Sequence, residues 1–357
     1  MTVLAGAPVE KVEAWSRTIP TDAPESDGTL EWDDTTIVVC EVHGGGETGL
    51  GYTYADQSVA ELISGKLTGV VRGIDAMRTG AAWAAMRSAL RNAGQAGAGA
   101  MALSAVDIAL HDLKARLLGV PVHRLLGGTG EAVEIYASGG FTSWDDERLA
   151  AWCAQGASAG RVKIKVGRDP ARDEHRLRVA RDAAGGAELM VDANGAYRSV
   201  AVARHWAELF AAAGVTWLEE PLSSDDLVGL RLVRESAPAG IAIAAGEYIW
   251  SPIDSRRLLE AGAVDVLQLD LTRCGGFTGA MAIDGVAVAS NMRTSLHCAP
   301  AVSMHAGAAM QSHLHLEHFH DHVRIERMLF EGGPEPEGGE LRPGDVPGLG
   351  LGLAYAS

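Results

Sequence analysis

Ionisable residues follow short apolar runs at regular intervals through the second half of the chain. Lys163 and Lys165 lie in RVKIKVG, Asp192 in LMVDANG, Glu219 and Glu220 in TWLEEP, Glu247 in IAAGEY, Asp270 in VLQLDL, His297 in RTSLHCAP and Glu317 in HLHLEHF. From Lys165 onward the steps are 27, 27, 28, 23, 27 and 20 residues, the advance of one strand–helix repeat, which brings such residues to one rim of a barrel. Asp192, Glu219 and Glu247 occupy consecutive rungs. Three hard oxygen donors on one rim repel unless a cation neutralises them, and an oxygen set with room for waters suits one Mg2+. No thiolate or imidazole stands among the three, so zinc suits them less. Helix capping accounts for any single carboxylate at such a place, and less well for three adjacent ones.

The two lysines share parity on one strand, so both side chains point into the barrel mouth. A desolvated lysine near a metal loses affinity for its proton and can act as a base. An edge-strand role for them fits poorly with a strand flanked by repeats on both sides. Asp270 and His297 are one rung apart, where a carboxylate on one ring nitrogen fixes the tautomer and strengthens the other nitrogen as a base. Lys165 and His297 then face each other across the mouth. A divalent ion beside two opposed bases suits removal of the proton α to a carboxylate.

The elements that must hold these residues read as alternating strands and helices. Strands are expected at 133–137, 161–166, 188–191, 215–218, 241–245, 264–269, 293–296 and 314–316, with helical stretches at 144–158, 170–184, 199–213, 225–236, 252–261 and 276–289. Eight strands in this span fit a closed barrel better than an open sheet. Before them, strands at 36–42 and 50–54 joined by Gly44–Gly46, and helices at 58–63, 71–93 and 100–117, make a small α+β unit ending near residue 128. The Gly/Pro-rich tail, 331–357, reads as an extended strap.

Composition sets the outer limits. The 357 residues are 47% hydrophobic and 21% charged, with a formal net charge of −16. That balance supports a large core and argues against a nucleic-acid partner, which needs clustered cations. The four cysteines include no CxxC pair and are expected to be reduced thiols. Residues 1–16 lack the basic region and long apolar run of a secretion signal, and no run approaches the ~20 residues of a membrane span. A cytoplasmic protein without membrane contact is the expectation.

The cap helix ALSAVDIALHDLKA with PVHRLLGG, the KIK strand, the three carboxylate rungs, the Asp/His pair and the closing PGLGLGL together resemble the mandelate racemase/muconate lactonizing enzyme branch of the enolase superfamily, within it the mandelate racemase subgroup. The resemblance covers nearly the whole chain. It implies a modified TIM barrel, (β/α)7β, over 129–330, an N-terminal α+β capping domain over 1–128, and a segment 331–357 returning to the cap. It implies Asp192, Glu219 and Glu247 as ligands of one Mg2+ per subunit, with Glu219 taken ahead of Glu220. Lys165 and His297 become the bases on the two faces, with Asp270 as partner of His297. Lys163 would orient the substrate carboxylate. Glu317 would hydrogen-bond that carboxylate in protonated form, and Asn194 would lie near the metal. The substrate is expected to be a small-molecule carboxylate and the assembly a homo-oligomer, from dimer to octamer. Dehydration of an acid sugar is the leading outcome, racemisation or epimerisation of a 2-hydroxy acid the next. A non-catalytic binding or structural protein on the same fold is the remaining class.

Two further expectations concern the mouth. A cap loop at 18–32 carries Asp22, Glu25, Asp27 and Glu31 and no basic residue; Asp22 and Glu25 are candidate substrate contacts, favouring a monoacid or a cationic or hydroxyl-rich distal end. The run HLHLEHFHDH, 313–322, is expected to form a polar rim beside Glu317 in preference to a second metal site.

Overall fold

The computed structural model describes residues 6–354. The ends of the first and last expected regions, 1–5 and 355–357, lie outside the described residues.

The chain opens with an antiparallel sheet in the order β1-β2-β3, made of β1 (Lys11–Ser26), β2 (Glu31–Gly44) and β3 (Glu47–Tyr54). Gly45 and Gly46, at φ of 60° and 83°, make the turn between β2 and β3. The segment 18–32 is therefore no loop, as the sequence suggested, but the tip of a long β1–β2 hairpin. Its proline content and polar surface disguised it: β1 is an edge strand, where proline is tolerated, and its register breaks between Pro20 and Glu25.

Helices α1 (Ser58–Leu62), α2 (Thr68–Val71), α3 (Thr79–Ala89), α4 (Ala98–Leu118) and α5 (Val122–Leu125) follow, with a π-helical turn at Ile63–Leu67 between α1 and α2. The 21-residue α4 lies directly on β3. Gly49 and Gly51 share the face of β3 that meets it, and a Cβ there would stand 2.1 Å from Ala109 O and 2.2 Å from Ala105 O respectively. Two glycines at period two thus meet two helix residues four apart, which permits backbone-to-backbone packing.

Strand and helix then alternate: β4 (Val133–Gly139), α6 (Asp146–Gly156), β5 (Arg161–Lys165), α7 (Pro170–Ala184), β6 (Glu188–Asp192), α8 (Val200–Ala212), β7 (Val215–Glu219), α9 (Leu227–Ser236), β8 (Ala242–Ala245), α10 (Pro252–Ala261), β9 (Val266–Asp270), α11 (Gly276–Ala289), β10 (Arg293–His297), α12 (Pro300–Gly307) and β11 (His313–Phe319). All eight strands pair in parallel with their neighbours, and β11 returns to β4, which closes the barrel. A further helix, α13 (His320–Leu329), follows the eighth strand.

The tail supplies β12 (Phe330–Glu331), β13 (Glu340–Leu341) and β14 (Gly352–Leu353). β13 pairs with β4, and β14 with β12. The buried Asp112 carboxylate on α4 accepts hydrogen bonds from Leu50 N and Leu349 N, both at 2.7 Å, and so ties sheet, helix and tail together. Both the sheet and α3 meet the second half of the chain directly. Tyr52 Oη donates to Glu326 Oε1 at 2.5 Å, and Trp83 Nε1 donates to Gly275 O at 2.9 Å. Cys40, Cys153, Cys274 and Cys298 are buried free thiols, with no disulfide among the described residues. No helix among the described residues is long and apolar enough to cross a membrane.

Gly51→Ala forces β3 and α4 apart, and overpacking of this kind costs about 1–3 kcal/mol. Urea denaturation should show that loss; an unchanged midpoint would mean that α4 retreats freely.

Candidate active site

The register of the barrel places three of the expected residues side by side. Lys165 on β5 is opposite Asp192 on β6, which is opposite Glu219 on β7. Glu247 comes two residues beyond the end of β8, after Gly246. Gly246 has φ of 134°, and a Cβ on it would meet Gln268 O at 2.2 Å, so only glycine lets the chain turn there toward the mouth. Beneath this row a layer of Tyr136, Met190, Trp217, Ala244 and Val266 fills the barrel. Asp192, Glu219, Glu247, Lys163, Lys165, Asp270, His297 and Glu317 are all buried.

The carboxylates sit together, but each has turned to a hydrogen-bond donor. Lys165 Nζ is 2.6 Å from Asp192 Oδ2. Lys163 Nζ lies 2.7 Å from Glu219 Oε2 and 2.8 Å from Glu317 Oε1, and Trp217 Nε1 donates to Glu219 Oε2 at 2.9 Å. His297 places Nε2 2.9 Å from Glu247 Oε2 and Nδ1 2.8 Å from Asp270 Oδ2. Asp270 is fixed in turn by the Thr272 N–H and hydroxyl, each at 2.7 Å from Oδ1, and Arg273 Nε stands 3.4 Å from Oδ2.

These pairings decide the proton affinities. Burial works against a charged lysine, but Asp192 outweighs it and raises Lys165 above the ordinary lysine value. The expected loss of proton affinity at Lys165 is thus absent while Asp192 is its partner. Burial likewise opposes a charged His297, but Cys298, Glu247 and Glu317 around it raise its pKa well above that of an ordinary imidazole. Glu317 shows the opposite balance between burial and charge from Glu219 and Glu220. Burial alone would favour its protonated form, but Lys163 and His297 outweigh burial and lower its pKa below the usual carboxylate range.

A magnesium ion fits the oxygen donors that remain. Glu219 Oε1, Glu220 Oε1 and Asn194 Oδ1 are buried without a hydrogen-bond partner, an arrangement that normally calls for an ion or water. Burial and Asp192 raise Glu219 to about 7, and burial and Glu247 raise Glu220 well above its ordinary value, as expected of carboxylates short of positive charge. Asp192, Glu219 and Glu247 could hold the ion, and Asn194, whose N–H donates to Asp192 Oδ1 at 2.9 Å, lies beside them. Glu220 is as buried as Glu219 and reaches the same neighbourhood from a left-handed backbone at φ of 38°.

Other residues at the site were not singled out from the sequence. Ser138, at the end of β4, donates to Glu317 Oε1 at 2.5 Å. Cys298 Sγ lies 3.3 Å from both His297 Nε2 and Glu317 Oε2. Arg273 stands three residues beyond Asp270. Adjacency to His297 and position at a strand end were the available signals for Cys298 and Ser138.

The hairpin tip behaves differently from its forecast. Asp22 is taken up by Arg148 Nη2 at 2.9 Å and His320 Nε2 at 3.1 Å. Arg168 pairs with Glu31 at 2.6 Å, and Arg324 donates to Pro20 O at 2.7 Å. The barrel thus brings cations to a tip that has none of its own. Glu25 is buried, accepts from Trp32 Nε1 at 2.9 Å, and is raised from 4.5 to about 8 by burial and then by Asp321. Neither Asp22 nor Glu25 is bonded to the rim groups. Around them, Trp32, Phe141 and Phe319 form an edge-to-face aromatic cluster against Cys298.

The histidine run does not form the expected rim. His315 lies below Glu317 in the barrel interior, 3.0 Å from Ser295 Oγ and against Tyr136 and Trp217, and burial pushes it down to about 3. His313 is half-buried, with both ring nitrogens unpartnered. His318 lines an outer groove with Arg327, His320 meets Asp22, and His322 stacks on Tyr54 with ring centroids 3.4 Å apart. The strand gives way to α13 at His320, so the period-two alternation stops there.

Comparison with known proteins gives the same frame. Residues 16–127 match the mandelate racemase/muconate lactonizing enzyme N-terminal domain, and residues 146–356 the enolase C-terminal domain-like family. A mandelate racemase/muconate lactonizing enzyme-like protein from Rubrobacter xylanophilus superposes with a TM-score of 0.95 at 55% identity, covering 97% of both chains. The 3,6-anhydro-alpha-L-galactonate cycloisomerase of Streptomyces coelicolor is 33% identical over 84% of each chain. The L-talarate/galactarate dehydratase of Salmonella typhimurium LT2, liganded with Mg and L-lyxarohydroxamate, superposes with a TM-score of 0.89 at 27% identity, covering 99% of this chain and 93% of that one.

Between pH 4.5 and about 8, folded Glu25 keeps a proton that the unfolded side chain releases. Its stabilising contribution is therefore full below pH 4.5 and declines as pH rises to about 8. Denaturant midpoints measured across this range should fall less steeply in Glu25→Gln, the remaining slope coming from the other buried acids with raised pKa values, among them Asp173, Glu219 and Glu326.

Proposed function

Because the chain belongs to the mandelate racemase/muconate lactonizing enzyme family of the enolase superfamily, we propose that it removes the proton α to the carboxylate of a small organic acid, with Mg2+ held by Asp192, Glu219 and Glu247. One observation carries this reading. The two bases stand on the carboxylates at either end of the same acidic row, Lys165 on Asp192 at 2.6 Å and His297 on Glu247 at 2.9 Å. With a cation held by Asp192 and Glu247, Lys165 and His297 would both lose their carboxylate partners and hold their protons less tightly. The ion would supply positive charge where negative charge grows on the substrate carboxylate.

The chain's own residues do the rest. Lys165 accepts or donates a proton on one face of the α carbon and His297 on the other. Asp270 holds Nδ1 of the ring, leaving Nε2 for the substrate. Lys163, fully buried between Glu219 and Glu317, offers its ammonium to the substrate carboxylate and offsets the charge of both acids. Glu317, anchored by Lys163 and Ser138, borders the pocket as a carboxylate.

Loss of a β-hydroxyl from an acid sugar is the outcome we favour, supported by the dehydratase relative and its L-lyxarohydroxamate ligand. In that reaction, protonated His297 or Lys165 delivers the proton to the departing hydroxyl. Racemisation or epimerisation is the second reading, favoured by the presence of one base on each face. The cycloisomerase relative marks a third product of the same proton abstraction.

A panel of mono- and diacid sugars with Mg2+ should yield a 2-keto acid. Solvent deuterium at the α carbon of an otherwise unchanged acid would select the racemase instead. Turnover should vanish with EDTA and fall about 10²–10⁴-fold in both Lys165→Ala and His297→Ala. Activity that survives both substitutions would overturn the assignment of the bases.

A further inference from the structure

Against the oxygen row stands a donor set of different softness. Cys298 Sγ is 3.3 Å from His297 Nε2 and 3.3 Å from Glu317 Oε2, and those two atoms are 3.5 Å apart. A tetrahedral ion with a metal–sulfur bond of about 2.3 Å and metal–nitrogen and metal–oxygen bonds of about 2.0–2.1 Å sets its ligand atoms on edges of roughly 3.3–3.6 Å. We propose that His297, Cys298 and Glu317 form three corners of a tetrahedral site for a thiophilic divalent ion of the zinc class, separate in chemistry from the magnesium-type carboxylates.

His297 and Glu317 are each held through their other polar atom, and His297 Nε2 also stands 2.9 Å from Glu247 Oε2, a contact that the ion would replace. Asp270 Oδ2 accepts from His297 Nδ1 at 2.8 Å, the carboxylate–histidine pairing that orients imidazole ligands at metal sites. Glu317 Oε1 is occupied by Ser138 and Lys163, at 2.5 and 2.8 Å, which leaves Oε2 facing the thiol. The thiol is aimed by the backbone. Cys298 and Ala299 have φ of 52° and 45°, left-handed values that cost non-glycine residues energy, and the Ser303 hydroxyl donates to Cys298 O at 2.9 Å. Two consecutive strained residues directly after His297 bring Sγ back over the imidazole.

The donor types decide the metal. A sulfur and an imidazole nitrogen favour Zn2+, Co2+ or Cd2+ over Mg2+, which seeks oxygen. Binding expels two protons to solvent, that of the Cys298 thiol and the Nε2 proton that the surrounding carboxylates hold on His297, and the thiolate and the Glu317 carboxylate then balance the charge of the ion. Glu247 Oε2 lies 2.9 Å from the same Nε2 but belongs to the magnesium-type row, so water takes the fourth corner. Occupancy ties up the nitrogen assigned above as a base, so a zinc-class ion and turnover exclude one another. The binding itself does not depend on that assignment.

The test is titration of Cd2+ or Co2+ into the full chain already saturated with Mg2+, read as sulfur-to-metal charge-transfer absorption. The expected result is a band that saturates at a single equivalent. Cys298→Ala should abolish it, while Cys40, Cys153 and Cys274 remain as internal controls. Cys298→Ala and His297→Ala should each weaken Zn2+ binding, measured by chelator competition, at least about tenfold, the loss that even an outer partner of a ligand can cause. Cys298→Ser, with thermal melting to verify the fold, should also lose the band. Absence of the band in the wild-type chain, or its persistence in Cys298→Ala, would overturn the proposal.

Discussion

Buried carboxylates that cannot be left uncompensated govern the mouth of this barrel. Asp192, Glu219, Glu220, Glu247, Asp270 and Glu317 are all shielded from solvent. Against them stand Lys163, Lys165, Arg273 and a protonated His297. Fully ionised, the acids leave two negative charges over, the charge of one divalent cation. Burial and the neighbouring acids Asp192 and Glu247 raise the pKa values of Glu219 and Glu220, whereas Lys163, 2.8 Å from Glu317, lowers that of Glu317. The lysines and the histidine are thus both catalytic candidates and the counter-ions that allow the row to fold.

The surrounding architecture serves this electrostatic centre. Parallel register sets Lys165, Asp192 and Glu219 at one height, and a glycine at 246 turns the chain so that Glu247 joins them. The packed layer of Tyr136, Met190 and Trp217 closes the barrel from below. Above, the β1–β2 hairpin lays Trp32 against Phe141, while Arg148, Arg168 and Arg324 grip its tip. Two metal chemistries meet at His297: oxygen donors on the Glu247 side, and sulfur on the Cys298 side.

Much of this was legible in the sequence. The eight barrel strands fall where apolar runs end in polar residues, since each repeat must advance the chain by one strand and only a rim position tolerates a charge. Parity placed Lys163 and Lys165 on one face for the same reason. The edge strand β1 escaped notice because Pro20, Pro24 and its polar residues mimic a loop. The histidine run forms no single rim because the strand ends at Phe319 and a helix begins at His320, so its residues face different surroundings on the two sides of that boundary.

The sequence by itself determined the barrel, the capping unit and the level at which the ionisable residues stand, because these follow from local periodicity. Only the tertiary structure decided which partner each one takes. Glu317 is paired with Lys163 because β5 carries the lysine to it, Asp22 is taken up by Arg148 and His320, and Cys298 reaches His297 through a left-handed backbone. Such choices depend on distances of a few ångströms between residues far apart in the chain, and the spacing of residues along a strand or helix does not encode them.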